Sequence, residues 1–320
     1  KNPKRGYVSS ANQYPAPKEY PYYLSGNFWP SYRGSRINDL LDSAVDDGAT
    51  INDMQKIQND GYNKFAEDIL PNLLIALESN ESFYEDSLSV EIYNYLKEWV
   101  SSPIHNANSF EPIIFDQWYE NLNELIWSNL FLDENNEKLY SKHVYPLFDR
   151  LAKLINEPDY WKTKWFDDKK TPIKENFQDI AFITFKKTLA DLNNHKKLKN
   201  KKYKDWQYSD FRGTDIHHII SSSNFDAFSK MGIPTSGSRW APNAMKKNFG
   251  PSWRYIVEMK ENDIQAIGIY PGGQSGNPGS SNYDNLIDQW KDGEYLNLNF
   301  TYYKDKDSLK GRRITFINED

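Results

Sequence analysis

Few residues of this 320-residue chain have types and spacings that could carry out chemistry by themselves. The most distinctive stretch is PGGQSGNPGSSNYDNLIDQW at residues 271–290, in which Gly272, Gly273 and Gly276 precede an amphipathic tail. A phosphate-binding loop requires a lysine after its last glycine, or the spacing G-x-G-x-x-G between a strand and a helix, and neither is present. We therefore predict a structural turn in which glycines provide positive φ angles.

The ionisable side chains form no recognised catalytic or metal-binding pattern. The five histidines include no H-E-x-x-H motif, and the adjacent His217 and His218 would point to opposite sides of a strand. Asp116 and Glu120 share one helix face, but a glycosidase-type pair is created by folding and not by sequence spacing. The basic tract 195–204 suits an anionic partner or, more simply, a solvated loop.

Composition excludes several classes of function. The net charge of −6 argues against a nucleic-acid-binding protein, and the absence of cysteine excludes disulfides and thiolate metal sites. No apolar run approaches the ~20 residues that a membrane span requires. The first residues lack the apolar region of a signal peptide, and with no initiator Met the chain is expected to begin within a longer gene product. The many Trp and Tyr residues favour a rigid core or stacking surfaces.

Hydrophobic periodicity predicts a helical block over residues 31–193, built as antiparallel helical hairpins. Thr50 is expected to open one helix through a capping box. Pro71 is expected to kink or restart another helix. The pair Thr171-Pro172 has the cap residue and first-turn proline of a helix start.

After residue 200 the pattern changes to strands and loops. Segments 252–259 and 263–270 have the β-branched and aromatic content of neighbouring strands, and 311–317 is predicted to be a terminal strand. At the other end, residues 6–15 are expected to form a short strand that runs into a loop. We predict an α+β fold over 1–320 as a single unit, with parts at 1–30, 31–193 and 200–320.

Several segments resemble, in the same order, the penicillin acylase (penicillin amidase) family of N-terminal nucleophile hydrolases. The similar segments are GYVSSANQYP at 6–15, FWPSYRGSRINDLL at 28–41, RWAPNAM at 239–245, GPSWRYIVEM at 250–259 and the glycine-rich stretch at 271–290. The resemblance implies the C-terminal portion of the large (beta) chain of an αββα fold. It also assigns the glycine-rich stretch to the scaffold.

The resemblance implies a mechanism whose nucleophile lies upstream of this chain. In the family, self-cleavage of a precursor exposes a serine as the first residue of the large chain, and its α-amino group activates the hydroxyl. Asn12 matches the family's oxyanion-hole asparagine, although a turn asparagine bonded to its own backbone is the alternative. Arg33 matches an arginine beside the active site that would orient Asn12, and Arg36 is expected to be a helix-surface residue.

The same resemblance implies an amidohydrolase acting on N-acylated small molecules, such as a β-lactam side chain or an acyl-homoserine lactone. Its implied partners are the upstream small chain and nucleophile-bearing segment of the same precursor, without which this chain would be inactive. No cofactor is implied for the chemistry. A structural calcium is implied in the complete enzyme, but here Glu19 is the only carboxylate near tyrosines that replace the expected ligand.

The family further implies a periplasmic or secreted location, which the absence of cysteine suits. The alternative from composition is an aromatic-rich glycan-binding protein without catalysis, since Tyr and Trp faces stack on sugar rings.

Overall fold

The computed structural model describes residues 2–128, 148–299 and 314–317, apart from positions 18, 27, 47, 220, 222–225 and 262. The contacts divide the chain into two compact units: residues 1–48 with 57–251 form the first, and residues 49–56 with 252–320 form the second. The single unit expected from the sequence stays a prediction.

Helices occupy most of the described part of the predicted helical block, with short 3₁₀ turns between several of them. Their bounds are α1 Tyr32–Val45, α2 Ile51–Asn59, α3 Lys64–Glu78, α4 Ser87–Trp99, α5 Glu111–Ser128, α6 Phe148–Asn156, α7 Phe177–Asn193, α8 Tyr208–Phe211 and α9 Ile287–Asp292.

One helix start is confirmed and another is wrong. The Thr50 N–H donates to Asp53 Oδ2 at 3.1 Å, and the Asp53 N–H donates to Thr50 Oγ1 at 3.2 Å, which is a capping box. Helix α7, however, begins at Phe177 behind a capping box of Asn176 and Asp179. The reciprocal cap there satisfies two backbone donors, and Thr171 lies in a turn further upstream.

Pro71 does not interrupt α3, contrary to expectation. The helix runs unbroken through it, and residues on both sides of it, including Leu70, Leu73 and Leu77, are fully buried. Burial of this apolar face contributes several times the ~3 kcal/mol that an interior proline costs.

The core of the first unit lies between α3, α5 and α7. Trp118 on α5 is fully buried, and its indole Nε1–H reaches the Ala181 carbonyl and Thr184 Oγ1, both at 3.1 Å. The indole therefore loses no hydrogen bonding when it leaves water, which makes Trp118 a well-satisfied anchor for the α5–α7 contact.

Each unit contains a small antiparallel sheet. The first unit pairs β1 Thr214–Ile216 with β2 Lys230–Ile233, and the second orders β3 Arg254–Lys260, β4 Asp263–Ile269 and β5 Leu296–Leu298. The strands predicted near 252–259 and 263–270 are confirmed as β3 and β4. The strand predicted at 6–15 is wrong, because the backbone there consists of bends and irregular segments. The strand predicted at 311–317 is also wrong over residues 314–317, and residues 311–313 lie outside the described part.

The glycine-rich stretch forms a structural turn in the second unit. Gly272 has φ +111°, and its carbonyl accepts the Leu286 N–H at 2.9 Å. A Cβ atom on Gly273 would lie 2.1 Å from the Asn282 carbonyl oxygen, so no other residue fits there. The stretch ends at buried Trp290, whose carbonyl accepts from Arg254 Nη1 at 2.6 Å. The predicted structural turn is confirmed, although of its glycines Gly272, Gly273 and Gly276 only Gly272 has a positive φ.

Candidate functional site

Asn12 lies in a tight loop that leads towards α1. Its φ of +66° is in the left-handed region, which asparagine tolerates better than most residues. The Asn12 carbonyl accepts the Trp29 N–H at 2.9 Å, and the Ala11 N–H donates to Gln13 Oε1 at 2.6 Å. The Asn12 backbone carbonyl and the Gln13 side chain therefore both help to hold the loop.

Arg33, in the first turn of α1, holds the Asn12 side chain. Its Nη2 donates to the Ala11 carbonyl at 2.9 Å and to Asn12 Oδ1. Burial lowers the pKa of Arg33, and no carboxylate in the described part of the chain pairs with it. The guanidinium thus acts as a fixed donor to this loop and is not half of a salt bridge.

The contact with Arg33 fixes which end of the Asn12 amide faces outward. A guanidinium only donates, so the amide atom that it meets is Oδ1, and Nδ2 is directed elsewhere. Asn12 is exposed, and within the described residues its Nδ2 donates to no protein atom. The loop therefore presents an oriented N–H₂ donor with no internal acceptor.

Gly34 allows α1 to approach this loop closely. A Cβ atom at Gly34 would lie 3.0 Å from the Gln13 side chain, whose Oε1 is already held by the Ala11 N–H. A side chain at position 34 would therefore push on the residue next to Asn12.

Arg36, one turn further along α1, has a different role. Its Nε and Nη2 donate to the two carboxylate oxygens of Asp60 at 3.1 and 2.7 Å, and its guanidinium lies 4.1 Å from the centre of the Tyr62 ring. This bidentate pair raises the pKa of Arg36. Arg36 is therefore a half-buried structural residue and not the helix-surface residue expected from the sequence, and it ties α1 to the segment that precedes α3.

Lys246 connects the Asn12 loop to a cavity. Its ammonium lies 5.1 Å from the centre of the Trp29 ring, and Trp29 is the residue whose N–H donates to Asn12. Burial, together with the charges of Arg239 and Arg33, lowers the pKa of Lys246. Positive charge is therefore concentrated next to the oriented amide.

The cavity has a volume of about 200 Å³ and lies between α5, α8 and the segment 238–247. Its lining combines aromatic rings with ionisable groups: Phe115, Asp116, Tyr119, Glu120, Tyr208, Phe211, Arg212, Ser238, Arg239, Trp240, Met245, Lys246 and Lys247. Both carboxylates that share a face of α5 in the sequence line this cavity.

Asp116 joins a partly buried hydrogen-bond network at the cavity wall. His105 Nε2 lies 3.1 Å from its Oδ1, and the Tyr208 hydroxyl donates to its Oδ2 at 2.6 Å. Burial alone would raise the pKa of Asp116, but His105, Tyr208 and the charge of Arg212 hold it below its usual value. Asp116 is therefore an ionised wall residue whose oxygens are already engaged.

The pKa of Glu120, one turn along α5, is shifted in the opposite direction to that of Asp116. Loss of hydration raises its pKa, and the nearby charges of Asp116 and Glu124 act in the same direction, with Arg239 opposing them. Glu120 is therefore protonated more readily than Asp116 as the pH falls.

The sequence-predicted residues Asn12 and Arg33 are brought together, whereas Lys246, His105 and Tyr208 were missed. The segment RWAPNAM ends one residue before Lys246, so the resemblance pointed to this part of the chain without singling out the lysine. Among the described residues, no three His, Asp or Glu side chains gather where they could hold a metal ion. The expectation about calcium stays a prediction.

Comparison with solved structures identifies the class of fold. The chain is similar over its full length to a thermostable penicillin G acylase from Alcaligenes faecalis, with a TM-score of 0.57 and 14% identity, and covers 58% of that chain. The chain thus shares the mixed α+β fold of that acylase, and the predicted α+β class is confirmed.

Sequence comparison identifies the family. The penicillin amidase family model matches residues 1–306, and the chain belongs to that family. Curated relatives include acyl-homoserine lactone acylases QuiP from Pseudomonas syringae pv. tomato, 24% identical, and Pseudomonas fluorescens, 23% identical. Each match covers 93% of this chain but only 37% of the relative, so the chain spans little more than a third of their length. In the described residues, no helix is long and apolar enough to cross a membrane.

Proposed function

We propose that this chain is the C-terminal portion of an amidohydrolase that cleaves the amide bond of N-acylated small molecules. The observation that carries the proposal is the oriented Asn12 amide, whose Oδ1 is held by Arg33 while Nδ2 faces outward. Membership of the penicillin amidase family and the similarity to acyl-homoserine lactone acylases support the reaction class.

In this mechanism a serine hydroxyl upstream of the chain attacks the amide carbonyl, and its own α-amino group takes the proton. The carbonyl oxygen becomes an oxyanion, to which Asn12 Nδ2 donates. Collapse breaks the C–N bond, the proton passes to the leaving amine, and water hydrolyses the acyl-enzyme. Arg33 keeps the amide oriented, so little reorganisation is needed when the negative charge develops.

The partners and location follow from the same proposal. The small chain and nucleophile-bearing segment of one precursor would be supplied by autoproteolysis, and the isolated residues 1–320 would be inactive. A β-lactam side chain or an acyl-homoserine lactone is the proposed substrate class, and the periplasm or the exterior the proposed location. The chemistry requires no cofactor.

Asn12→Gly in the complete protein tests the proposal. Glycine accepts the positive φ of this position, so the substitution removes the amide without straining the loop. Loss of one oxyanion donor should lower kcat by about 10²–10³-fold with little change in KM. Asn108→Ala, at an exposed position outside the site, is the control. An unchanged kcat in Asn12→Gly would exclude the assigned role.

Glycan binding is a second candidate, favoured by one feature of the second unit. The exposed rings of Trp253 and Tyr255 have centres 5.8 Å apart and planes 20° from parallel. Such a stacked pair suits a sugar ring. Binding to an oligosaccharide panel that disappears in Trp253→Ala would favour this candidate over the hydrolase.

A further inference from the structure

The basic tract at residues 195–204 forms part of the wall of a second cavity in the first unit. Two buried side chains hold it against the helices: Leu198 is fully buried, and its carbonyl accepts the Trp206 indole Nε1–H at 3.2 Å. Because these anchors fix the path of the chain, the lysines between them lie at defined positions beside the start of α4 and the end of α7. The tract therefore presents charge to a concave space as well as to bulk solvent.

The inner surface of this second cavity is apolar. Its volume of about 430 Å³, compared with about 200 Å³ beside Asn12, is in the range typical of small-molecule sites. Ile92, Leu189 and Trp206 are buried in its wall, whereas Leu88 at its edge is 38% exposed. A ligand with an apolar body would remove this surface from water, which favours binding.

Two of the three lysines in the wall already have partners in the protein. Lys201 Nζ lies 2.5 Å from Asp210 Oδ2, and Lys204 Nζ lies 2.9 Å from Glu91 Oε1. The Tyr203 hydroxyl and Lys204 hold the pKa of Glu91 below its usual value. Glu91, the carboxylate that lines the cavity, is therefore ionised and already paired with a cation.

Lys202 and Asn193 are the polar groups of the wall that remain for a ligand. Within the described residues the Lys202 ammonium makes no ion pair, and the Asn193 side chain makes no hydrogen bond. The ammonium only donates, and the amide can donate or accept. The cavity thus combines an apolar surface with one uncompensated positive charge and one neutral polar group, a combination typical of sites for small molecules.

We propose that this cavity binds a small monocarboxylate with an apolar body, whose carboxylate contacts Lys202 and whose body packs against Leu88, Leu189 and Trp206. One uncompensated ammonium matches one negative charge, whereas a phosphate monoester would bring nearly two. A small hydrophilic anion would lose hydration without burying apolar surface, so it is a poorer match. The inference does not depend on the proposed function, because it concerns binding at a cavity that shares no lining residue with the cavity beside Asn12.

Calorimetry of the complete protein with octanoate and octanamide tests the inference. The two probes share one alkyl chain and differ in charge, so octanoate should bind about tenfold more tightly. Raising the salt concentration should reduce this difference, because salt screens an exposed ammonium. Equal binding of the two probes, or binding of neither, would overturn the inference.

Lys202→Met keeps most of the side chain and removes its charge. It should weaken octanoate binding about tenfold and leave octanamide binding unchanged, since only the acid uses the charge. The matched control is Lys199→Met, an exposed lysine of the same tract that does not line the cavity, and it should change neither affinity. If both variants changed octanoate binding equally, the contact assigned to Lys202 would be wrong.

Leu88→Asp tests the apolar side of the cavity. An acidic residue is favourable in the first turn of α4, so this variant should fold, and its charge should weaken octanoate binding by about tenfold. Unchanged octanoate binding in Leu88→Asp would contradict the proposed position of the ligand.

Comparison with Asn12→Gly separates this inference from the proposed function. Asn12→Gly should retain octanoate binding at this cavity while kcat falls, and Lys202→Met should retain kcat. If the complete protein hydrolyses no acylated substrate, the proposed function fails, and calorimetry with octanoate still decides the inference.

Discussion

The α5–α7 interface and the Asn12 loop differ in whether their side-chain donors have hydrogen-bond acceptors within the described part of the protein. At the interface, the Asn121 amide donates to Thr188 Oγ1 and to Asp191 Oδ2, both at 3.0 Å, and Trp118 has two acceptors. At the loop, Asn12 Nδ2 is oriented by Arg33 but reaches no acceptor among the described residues.

The difference separates polar groups that stabilise the fold from an amide for which we propose a role in contacting a ligand. A buried donor that meets its acceptor contributes about 1 kcal/mol and fixes the packing of its helices. A donor that is held in place at the surface with no acceptor adds little stability but is ready for an incoming oxygen. Substitutions at the α5–α7 interface should therefore change the free energy of unfolding, and substitutions at the Asn12 loop should change kcat.

The largest expected effect is on stability, at Trp118. Trp118→Ala removes a fully buried indole and leaves a cavity between α5 and α7, so the free energy of unfolding should fall by about 3–5 kcal/mol. Denaturant unfolding measures the loss. A decrease of less than about 1 kcal/mol in the free energy of unfolding would show that the α5–α7 interface contributes little to stability.

Two arginines one turn apart on α1 sharpen the comparison. Arg33→Met frees the Asn12 amide to rotate and should lower kcat of the complete protein by about 10–100-fold with little loss of stability. Arg36→Met breaks the bidentate contact with Asp60 and should lower the free energy of unfolding by about 1–3 kcal/mol. Measurements of kcat and of the free energy of unfolding for both variants test this expectation. It is wrong if the two substitutions change kcat and stability to the same extent.

The smallest expected effect is the pH dependence of the two carboxylates on α5. Because the folded state lowers the pKa of Asp116, its ionisation stabilises the protein above about pH 3.9, the unfolded value, and this contribution is lost as the pH falls through the folded pKa. Asp116→Asn should therefore be destabilising at pH 7, by an amount that shrinks towards pH 3.

Glu120→Gln is the matched control on the same helix face. Its pKa is raised in the folded state, so its ionisation costs stability above the folded pKa, and the substitution should not destabilise the protein at pH 7. Unfolding midpoints at pH 7 and pH 3 measure both variants. If both substitutions destabilised the protein at pH 7, the opposite pKa shifts assigned to Asp116 and Glu120 would be contradicted.

The sequence predicted which segments form helices and strands better than it predicted the residues at which they begin and end. Periodicity identified the helical block and the strands β3 and β4, because burial of one face imposes a regular spacing. It misplaced the start of α7, since the Asn176–Asp179 cap outweighs the Thr171-Pro172 signal. It also predicted a strand at 6–15, where the loop is held by contacts with Trp29 and Arg33 that local propensity does not contain.

By itself, the sequence determined the α+β class of fold and the family, because ordered motifs carry that information along the chain, and it predicted Asn12 and Arg33 as site residues. Only the tertiary structure decided what surrounds them. Lys246 is more than two hundred positions from Asn12, and Tyr208 reaches Asp116 across 92 positions. Contacts over such distances depend on how the helices pack, and a side chain's partners, charge and openness to a ligand are set by that packing.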